Sequence, residues 1–160
     1  MSKDEIMIEY LLTCPYIRDN SLFFNYAEGE DNTNHFETNA TDVSVQKPFV
    51  DGSVLKQYTF TLASYKSLGY RAVDVEDVST DENIDDLEEV QQILEWINEQ
   101  ADNGNFPNFG TGYVVEEMEC STDRPKLDGM FNDAVGTPIA RYSIVIRLQY
   151  IDNTKLLWNN

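Results

Sequence analysis

An alternating segment near the C-terminus places the strongest constraint on how this chain can fold. In IARYSIVIRLQYI, residues 139–151, apolar side chains occupy every second position. Successive side chains of a β-strand point to opposite faces, so a period of two predicts a strand with one face in the core. The other face is predicted to be exposed to solvent or to contact a partner. The predicted core face consists of Ala140, Tyr142, Ile144, Ile146, Leu148 and Tyr150. The opposite face carries Arg141, Ser143, Arg147 and Gln149.

A second segment has the 3.6-residue repeat of an amphipathic helix, which we predict over 84–102. Ser79 or Thr80 can cap its start, and Glu82 stands three residues after Ser79, as in a capping box. Gly104 can close the other end, because glycine readily adopts the left-handed conformation that ends many helices. The predicted apolar arc consists of Leu87, Val90, Leu94, Ile97 and Ala101, with Ile93 at its margin.

The N-terminal part predicts one short helix and three strands. Apolar residues have helical spacing within 3–14, and Pro15 would stop a helix there. Strands are predicted at 22–27, from about His35 onwards, and after the Asp51-Gly52 turn. The apolar residues with helical spacing are Ile6, Tyr10 and Leu11, and the third strand is predicted to be half-buried, with Tyr58, Phe60 and Leu62 on one face.

One more strand, YVVEEMECS, lies between the second helix and the C-terminal strand. We predict Val114, Met118 and Cys120 on one side of it, with Glu116 interrupting the pattern. The predicted order is then helix, three strands, helix, two strands. That order predicts an α+β fold in a single domain, 1–160, with a mainly antiparallel sheet of four to five strands and both helices on one face.

The charge of the chain excludes several classes of partner. Its formal net charge is −18, from 29 acidic and 11 basic residues. Binding to a nucleic-acid backbone or an anionic membrane needs clustered Lys and Arg, so we expect neither. The N-terminal apolar run is too short to span a membrane, and we expect a soluble intracellular protein. Cys14 and Cys120 lack paired spacing and are expected to be buried free thiols.

The sequence offers weak candidates for catalysis or metal binding. His35 is the single histidine, so any triad would depend on it, and a turn residue is the simpler interpretation. An EF-hand alignment starting at Asp81 puts Asp86 where glycine is required and Gln92 where the bidentate glutamate belongs. Glu117 and Glu119 are better explained by a charged sheet face than by acid and base catalysis. We therefore predict no enzyme activity, no cofactor and no metal.

Aromatic residues around the second helix are the best candidates for contacts with other proteins. Trp96 projects away from the centre of the apolar arc; the simpler interpretation is the edge of a wide core face, and the alternative is a hydrophobic contact for another subunit. Phe106 and Phe109 lie in the loop NGNFPNFGTG just after the helix. We predict that one of these two phenylalanines packs beneath the helix near Ile97 and that the other is available to a neighbour. With Arg141 and Arg147 on the last strand, these residues form the predicted contact set.

Four segments, in order, resemble one family: PYIRDNSLFFNYAE at 15–28, KPFVDGSVLKQYTFTL at 47–62, WINEQADNGNFPNFG at 96–110, and ARYSIVIRLQYI at 140–151. Together they look like the tail-terminator or minor capsid (head-tail joining) proteins of long-tailed phages, and of prophages in Gram-positive bacteria. The resemblance lies in spacing and character, and it brings no catalytic motif.

This resemblance implies a structural protein that acts through its surfaces. Tail terminators assemble as a ring, usually of six subunits, on the last disc of the tail tube, where they stop polymerisation and meet the head connector. The expected partners are therefore further copies of this chain, a tail tube protein and a head-tail connector protein. The expected location is the virion tail, after assembly in the host cytoplasm. DNA passing through such a ring would favour an acidic inner surface. The expected lumen residues are Asp74, Glu76, Asp77, Asp81 and Glu82.

A second class of function stays open from the charge alone. A small acidic inhibitor could mimic DNA or cover a basic partner, as immunity-type proteins do. Its mark would be a continuous negative stripe and a stable one-to-one complex.

Overall fold

A computed structural model describes residues 1–17, 21–24, 35–67, 80–132 and 138–158. Over these residues the chain forms an α+β fold in which a mostly antiparallel, six-stranded sheet is accompanied by three helices. The helices are α1 (Lys3–Leu11), α2 (Thr80–Asp102) and α3 (Thr154–Trp158). The strands are β1 (Ser21–Phe24), β2 (His35–Pro48), β3 (Val54–Ser67), β4 (Tyr113–Cys120), β5 (Lys126–Asn132) and β6 (Pro138–Asp152).

The sheet is built around the two long strands β3 and β6, which pair antiparallel from Val54↔Asp152 to Ser67↔Ile139. On the far side of β3 lies β2, also antiparallel, and β1 pairs in parallel with the start of β2. Both β4 and β5 pair antiparallel with β6, β4 along its C-terminal half and β5 along its N-terminal half. They therefore resemble one long strand, interrupted at 121–125, on the side of β6 that faces away from β3.

The core lies on one face of the sheet, beneath α1 and α2. On β6 the alternation predicted from the sequence is confirmed, since every second residue from Ala140 to Tyr150 is buried. On β3, Tyr58, Phe60 and Leu62 are buried on the same face, as predicted. Helix α2 buries Val90, Ile93, Leu94 and Ile97 in this core, and α1 adds Met7 and Leu11. Burial of these apolar side chains is the main stabilising force of the domain.

Hydrogen bonds at the helix termini explain where α2 ends and where α1 begins. The N–H of Gly104 donates to the Ala101 carbonyl at 3.1 Å, and the N–H of Asn105 donates to the Gln100 carbonyl at 2.9 Å. This is a Schellman motif, and Gly104 has the positive φ, 71°, that the motif requires. The predicted glycine end of α2 is confirmed. In α1, Ser2 and Glu5 form a capping box.

Some sequence predictions about the elements were wrong. The sheet has six strands instead of four or five, because β5 was missed, and the short α3 was missed as well. Helix α1 ends at Leu11, before the predicted limit of 14, because the N–H and hydroxyl of Thr13 both donate to the Tyr10 carbonyl and tighten the last turn.

The predicted faces of β4 were also wrong at its start. A register shift between Val115 and Glu117 adds an extra residue opposite β6, and this reverses the alternation. Val114 is consequently 47% exposed, whereas Val115 packs against the core. After the shift, Met118 and Cys120 return to the core side, as predicted.

Candidate functional site

Three partly exposed aromatic residues lie on α1, on α2 and in the loop after α2, namely Tyr10, Trp96 and Phe106. The rings of Tyr10 and Trp96 are tilted against each other with their centroids 5.6 Å apart. The Tyr10 hydroxyl donates a 2.7 Å hydrogen bond to the Asn105 carbonyl, and Phe106 is the next residue. Tyr10, Trp96 and Phe106 each pack one side against the core and leave another side accessible. We call these three residues the aromatic patch.

The patch is held in place by the elements on either side of it. Tyr10 lies one residue before the buried Leu11 of α1, and Trp96 one residue before the buried Ile97 of α2. Burial, and second the nearby Cys14, raise the pKa of Tyr10 to about 12. The phenol is therefore neutral at physiological pH and keeps the proton that it donates to Asn105. The patch is a fixed apolar surface with one satisfied polar group.

Phe109 is the residue that anchors the loop after α2. It is only 5% exposed and lies between two buried tyrosines, with edge-to-face contacts to Tyr58 at 5.4 Å and to Tyr150 at 5.5 Å between ring centroids. Such contacts are favourable beyond the area they bury. Of the two phenylalanines in the loop, Phe106 is the one that keeps accessible surface.

The two arginines of the predicted contact set lie on the sheet face opposite the core. The Nε of Arg141 donates to the Tyr65 hydroxyl at 3.1 Å, and its guanidinium lies 5.7 Å from the Tyr65 ring centroid. Arg147 approaches Glu119 at 3.6 Å, with side chains 42% and 54% exposed. Within the described residues, the Nε of Arg147 is buried without a hydrogen-bond partner. Arg141 is thus positioned by a ring, while Arg147 reaches solvent at its tip.

One cross-strand row of the face that carries these arginines is polar across four strands of the sheet. Cross-strand pairing aligns Thr41, Thr59, Arg147 and Glu119 in one row from β2 to β4. The buried helical residues of the described chain all belong to the core on the other face. Within the described residues, the helices that contribute to the core therefore pack on the other face of the sheet and leave this face uncovered by them.

A polar and aromatic cluster that sequence reasoning missed connects α1 to the sheet. The Tyr150 hydroxyl donates to both carboxylate oxygens of Asp42, at 2.9 and 3.1 Å, and the Lys3 Nζ lies 3.2 Å from the same carboxylate. The Lys3 ammonium also lies 4.7 Å from the Tyr113 ring centroid, in a cation–π contact. Burial first, and then the hydrogen bond to Asp42, raise the pKa of Tyr150.

Tyr58 has the same arrangement at the other end of this cluster. Its hydroxyl donates a short hydrogen bond to Asp4 of α1. Burial, followed by that hydrogen bond, raises the pKa of Tyr58. Because both tyrosines are held neutral as donors to carboxylates, they act as fixed hydrogen-bonding groups and not as acids or bases at neutral pH.

A nearby ion pair joins the start of β3 to the end of β6. The Lys56 Nζ lies 2.8 Å from the Asp152 carboxylate, whose other oxygen accepts from the N–H and hydroxyl of Thr154. Burial raises the pKa of Asp152, but the hydrogen bonds from Lys56 and Thr154 outweigh it and lower the pKa to about 2. The same hydrogen bond raises the pKa of Lys56. This pair fixes β3, β6 and the start of α3 relative to one another.

Of the five predicted acidic lumen residues, three lie outside the residues that the structure describes. Asp74, Glu76 and Asp77, like the possible cap Ser79, lie outside the described residues. Asp81 and Glu82 belong to the first turn of α2, so the backbone there is helical and not an EF-hand loop. Among the described residues, no three His, Cys, Asp or Glu side chains are grouped for a metal ion. Cys14 and Cys120 are both free thiols; Cys14 is buried, as predicted, whereas Cys120 is only partly buried. His35 begins β2, opposite Tyr65.

Comparison with known proteins adds no family to this description. No model of a known protein family matches the chain, and no curated protein matches it. Among the described residues, no helix is long and apolar enough to cross a membrane.

Proposed function

We propose that this chain is a structural protein of a phage tail and that it works as the tail terminator. In this proposal it forms a closed, hexameric ring at the end of the tail tube, stops polymerisation of the tube and joins it to the head connector. The chain is proposed to do this through its surfaces, without a catalytic centre or a cofactor.

The aromatic patch is the observation that carries this proposal. Tyr10, Trp96 and Phe106 are half-exposed yet fixed by packing and by the hydrogen bond to Asn105. Trp, Tyr and Phe are enriched at protein interfaces, where a rigid ring gains contact area with little loss of conformational entropy. A prepositioned aromatic surface supports assembly with other protein subunits.

The polar sheet face supports a second, weaker contact in the same assembly. Arg147 has a solvent-accessible tip and only a long, exposed pairing with Glu119, which contributes little by itself. In a chain with a net charge of −18, this arginine and Arg141 are suited to acidic groups on a neighbouring subunit. We propose that the acidic run that ends in Asp81 and Glu82 faces the ring opening, where it would repel DNA.

Deletion of the gene from a phage or prophage that encodes this chain tests the proposal. We expect tails of uncontrolled length that do not join to heads, as seen by electron microscopy. A plasmid copy of the wild-type chain restores normal tails, and so does Glu95→Ala, an exposed neighbour of Trp96 on α2. Trp96→Ala and Phe106→Ala, each checked for folding by circular dichroism, do not restore them. Normal tails without the chain would refute the tail-terminator function.

One observation favours a second candidate, a small acidic inhibitor that mimics DNA or covers a basic partner. The excess of acid, 29 residues against 11 basic ones, is far larger than folding requires. This candidate predicts a stable one-to-one complex with a basic protein, and that complex should weaken steeply with salt. The terminator predicts instead a ring of copies of this chain.

A further inference from the structure

The turn between the long strands β2 and β3 presents two apolar side chains to solvent. These are Phe49, which is 36% exposed, and Val50, which is fully exposed. We call these two residues the hairpin tip. Turns are usually built from Gly, Pro, Asn, Asp and Ser, and an exposed apolar cluster in a soluble chain indicates a contact with another molecule.

Hydrogen bonds across the turn hold the hairpin tip in one conformation. The N–H of Phe49 donates to the Ser53 carbonyl at 2.9 Å, and the N–H of Gly52 donates to the Phe49 carbonyl at 3.1 Å. The Asp51 carboxylate accepts from the N–H and the hydroxyl of Ser53, at 2.9 and 2.6 Å. Gly52 supplies the positive φ, 94°, that the turn requires. A tip that is already ordered loses little conformational entropy when it binds.

An apolar row of the sheet lies next to the hairpin tip. Leu55, Ile151 and Val114 are cross-strand neighbours on β3, β6 and β4, on the face opposite the core. Each keeps accessible surface, and Val114 is 47% exposed. Lys47 pairs with Leu55, and its ammonium lies 5.7 Å from the ring centroid of Phe49. Lys47 therefore connects the apolar row to the tip.

The hairpin tip has more positive than negative charge beside it, although the chain has a net charge of −18. Lys47 is exposed at the end of β2. Helix α3 also lies beside the turn, since a methyl group at Gly52 would lie 3.8 Å from the Leu156 side chain, and α3 contributes the exposed Lys155. Asp51 is the single acid in the turn. The tip is thus an apolar projection flanked by lysines.

The aromatic patch has the opposite charge around it. Exposed acids accompany it on both helices, namely Glu9 on α1 and Glu99 and Asp102 on α2. Glu99 follows Trp96 by three residues and therefore lies on the same side of α2. Over its whole length α2 contains no Lys or Arg. An apolar tip with lysines and an aromatic patch with acids complement each other in both polarity and charge.

We propose that the hairpin tip of one copy of this chain docks on the aromatic patch of the next copy. The two apolar side chains of the tip pack against the rings of the patch, and Lys47 and Lys155 face the acids of α2. Tip and patch are different surfaces, so the contact is head-to-tail, and its repetition leads to a closed ring or a filament. The inference rests on the proposed function for the ring, because it names the contact through which the copies meet.

Substitutions at Val50 test this contact, with sedimentation equilibrium of the purified chain as the measurement. Val50→Asp removes an apolar side chain and adds a negative charge that faces the acids of α2, so we expect self-association to weaken about tenfold to a hundredfold. Val50→Lys removes the same side chain but adds the favourable charge, and it should weaken association less. Thr122→Asp is the matched control, with the same new charge at an exposed residue between β4 and β5, and should associate as the wild type does.

A mixture of two variants tests the head-to-tail geometry. Val50→Asp has a damaged tip and an intact patch, whereas Trp96→Ala has an intact tip and a damaged patch. Each variant alone should associate weakly. An equimolar mixture should form pairs with one copy of each, because one good tip and one good patch remain, and these pairs should not grow further. Formation of the pair also shows that both variants are folded.

The proposal is overturned if the wild type stays monomeric at high concentration, if Val50→Asp associates as Thr122→Asp does, or if the mixture forms no pairs. It is also overturned if Val50→Lys weakens association as much as Val50→Asp. A ring that Val50→Asp leaves intact would refute the docked tip while supporting the tail function. Normal tails in the absence of the gene would refute the tail function, but not a tip contact measured between purified copies.

Discussion

The Lys56–Asp152 pair leads to a quantitative prediction about stability. The folded state holds the pKa of Asp152 at about 2, against an ordinary value of 3.8. A difference of about 1.8 pKa units corresponds to about 2.4 kcal/mol of stability. Because the folded pKa is lowered, this contribution is fully present above the unfolded pKa and is lost as the pH falls through the folded pKa. At pH 3 about half of it should remain.

Asp152→Asn removes the charge that binds Lys56 but keeps an oxygen that can accept from the Thr154 N–H. We expect a loss of about 2 kcal/mol at pH 7, measured by urea unfolding, and a fall of about 4–8 °C in Tm for a chain of this length. The difference from the wild type should shrink by about half at pH 3.

Glu119→Gln is the matched control for this experiment. It breaks the exposed 3.6 Å pair with Arg147 and should change the free energy of unfolding by less than about 0.5 kcal/mol. The reasoning is refuted if Asp152→Asn costs no more than this control. It is also refuted if the deficit of Asp152→Asn stays constant between pH 7 and pH 3.

Four further substitutions test how the loop after α2 and the polar cluster stabilise the fold. Phe109→Ala should cost about 3–5 kcal/mol in urea unfolding, and the half-exposed Phe106→Ala clearly less; equal losses would contradict the assignment of Phe109 as the anchor. Gly104→Ala should cost about 1 kcal/mol through its φ of 71° alone, since the described residues beyond its two chain neighbours place no atom within 4 Å of the added methyl group; an unchanged Tm would contradict this. Tyr150→Phe should cost about 1–2 kcal/mol because Asp42 loses a donor, and no loss would indicate that water replaces the hydroxyl.

The sequence predicted those elements whose side chains follow one period without interruption. The alternation in β6 was correct, and so was the burial of Val90, Leu94 and Ile97 in α2, because each of these elements packs one continuous face on the core. β4 was predicted as a strand, but its first residues were assigned to the wrong faces. A bulge between Val115 and Glu117 changes the phase of the alternation; Glu116, which interrupts the apolar pattern in the sequence, marks its position but not the change of phase.

Elements and sites that depend on distant residues could not be predicted. β5, which contains Gly129, forms by pairing with β6 and has no clear alternation of its own. The polar cluster joins Lys3, Asp42 and Tyr150, which are brought together only when α1, β2 and β6 pack. The aromatic patch was predicted in part, because Trp96 departs from the apolar arc of α2, but the role of Tyr10 required the fold.

Native mass spectrometry of the purified chain at high concentration tests the central claim most directly. The account predicts a closed ring of copies, usually six, and loss of this ring in Phe106→Ala but not in Glu95→Ala. A species no larger than two copies, together with a stable one-to-one complex with a basic protein, would contradict the ring and favour the acidic inhibitor.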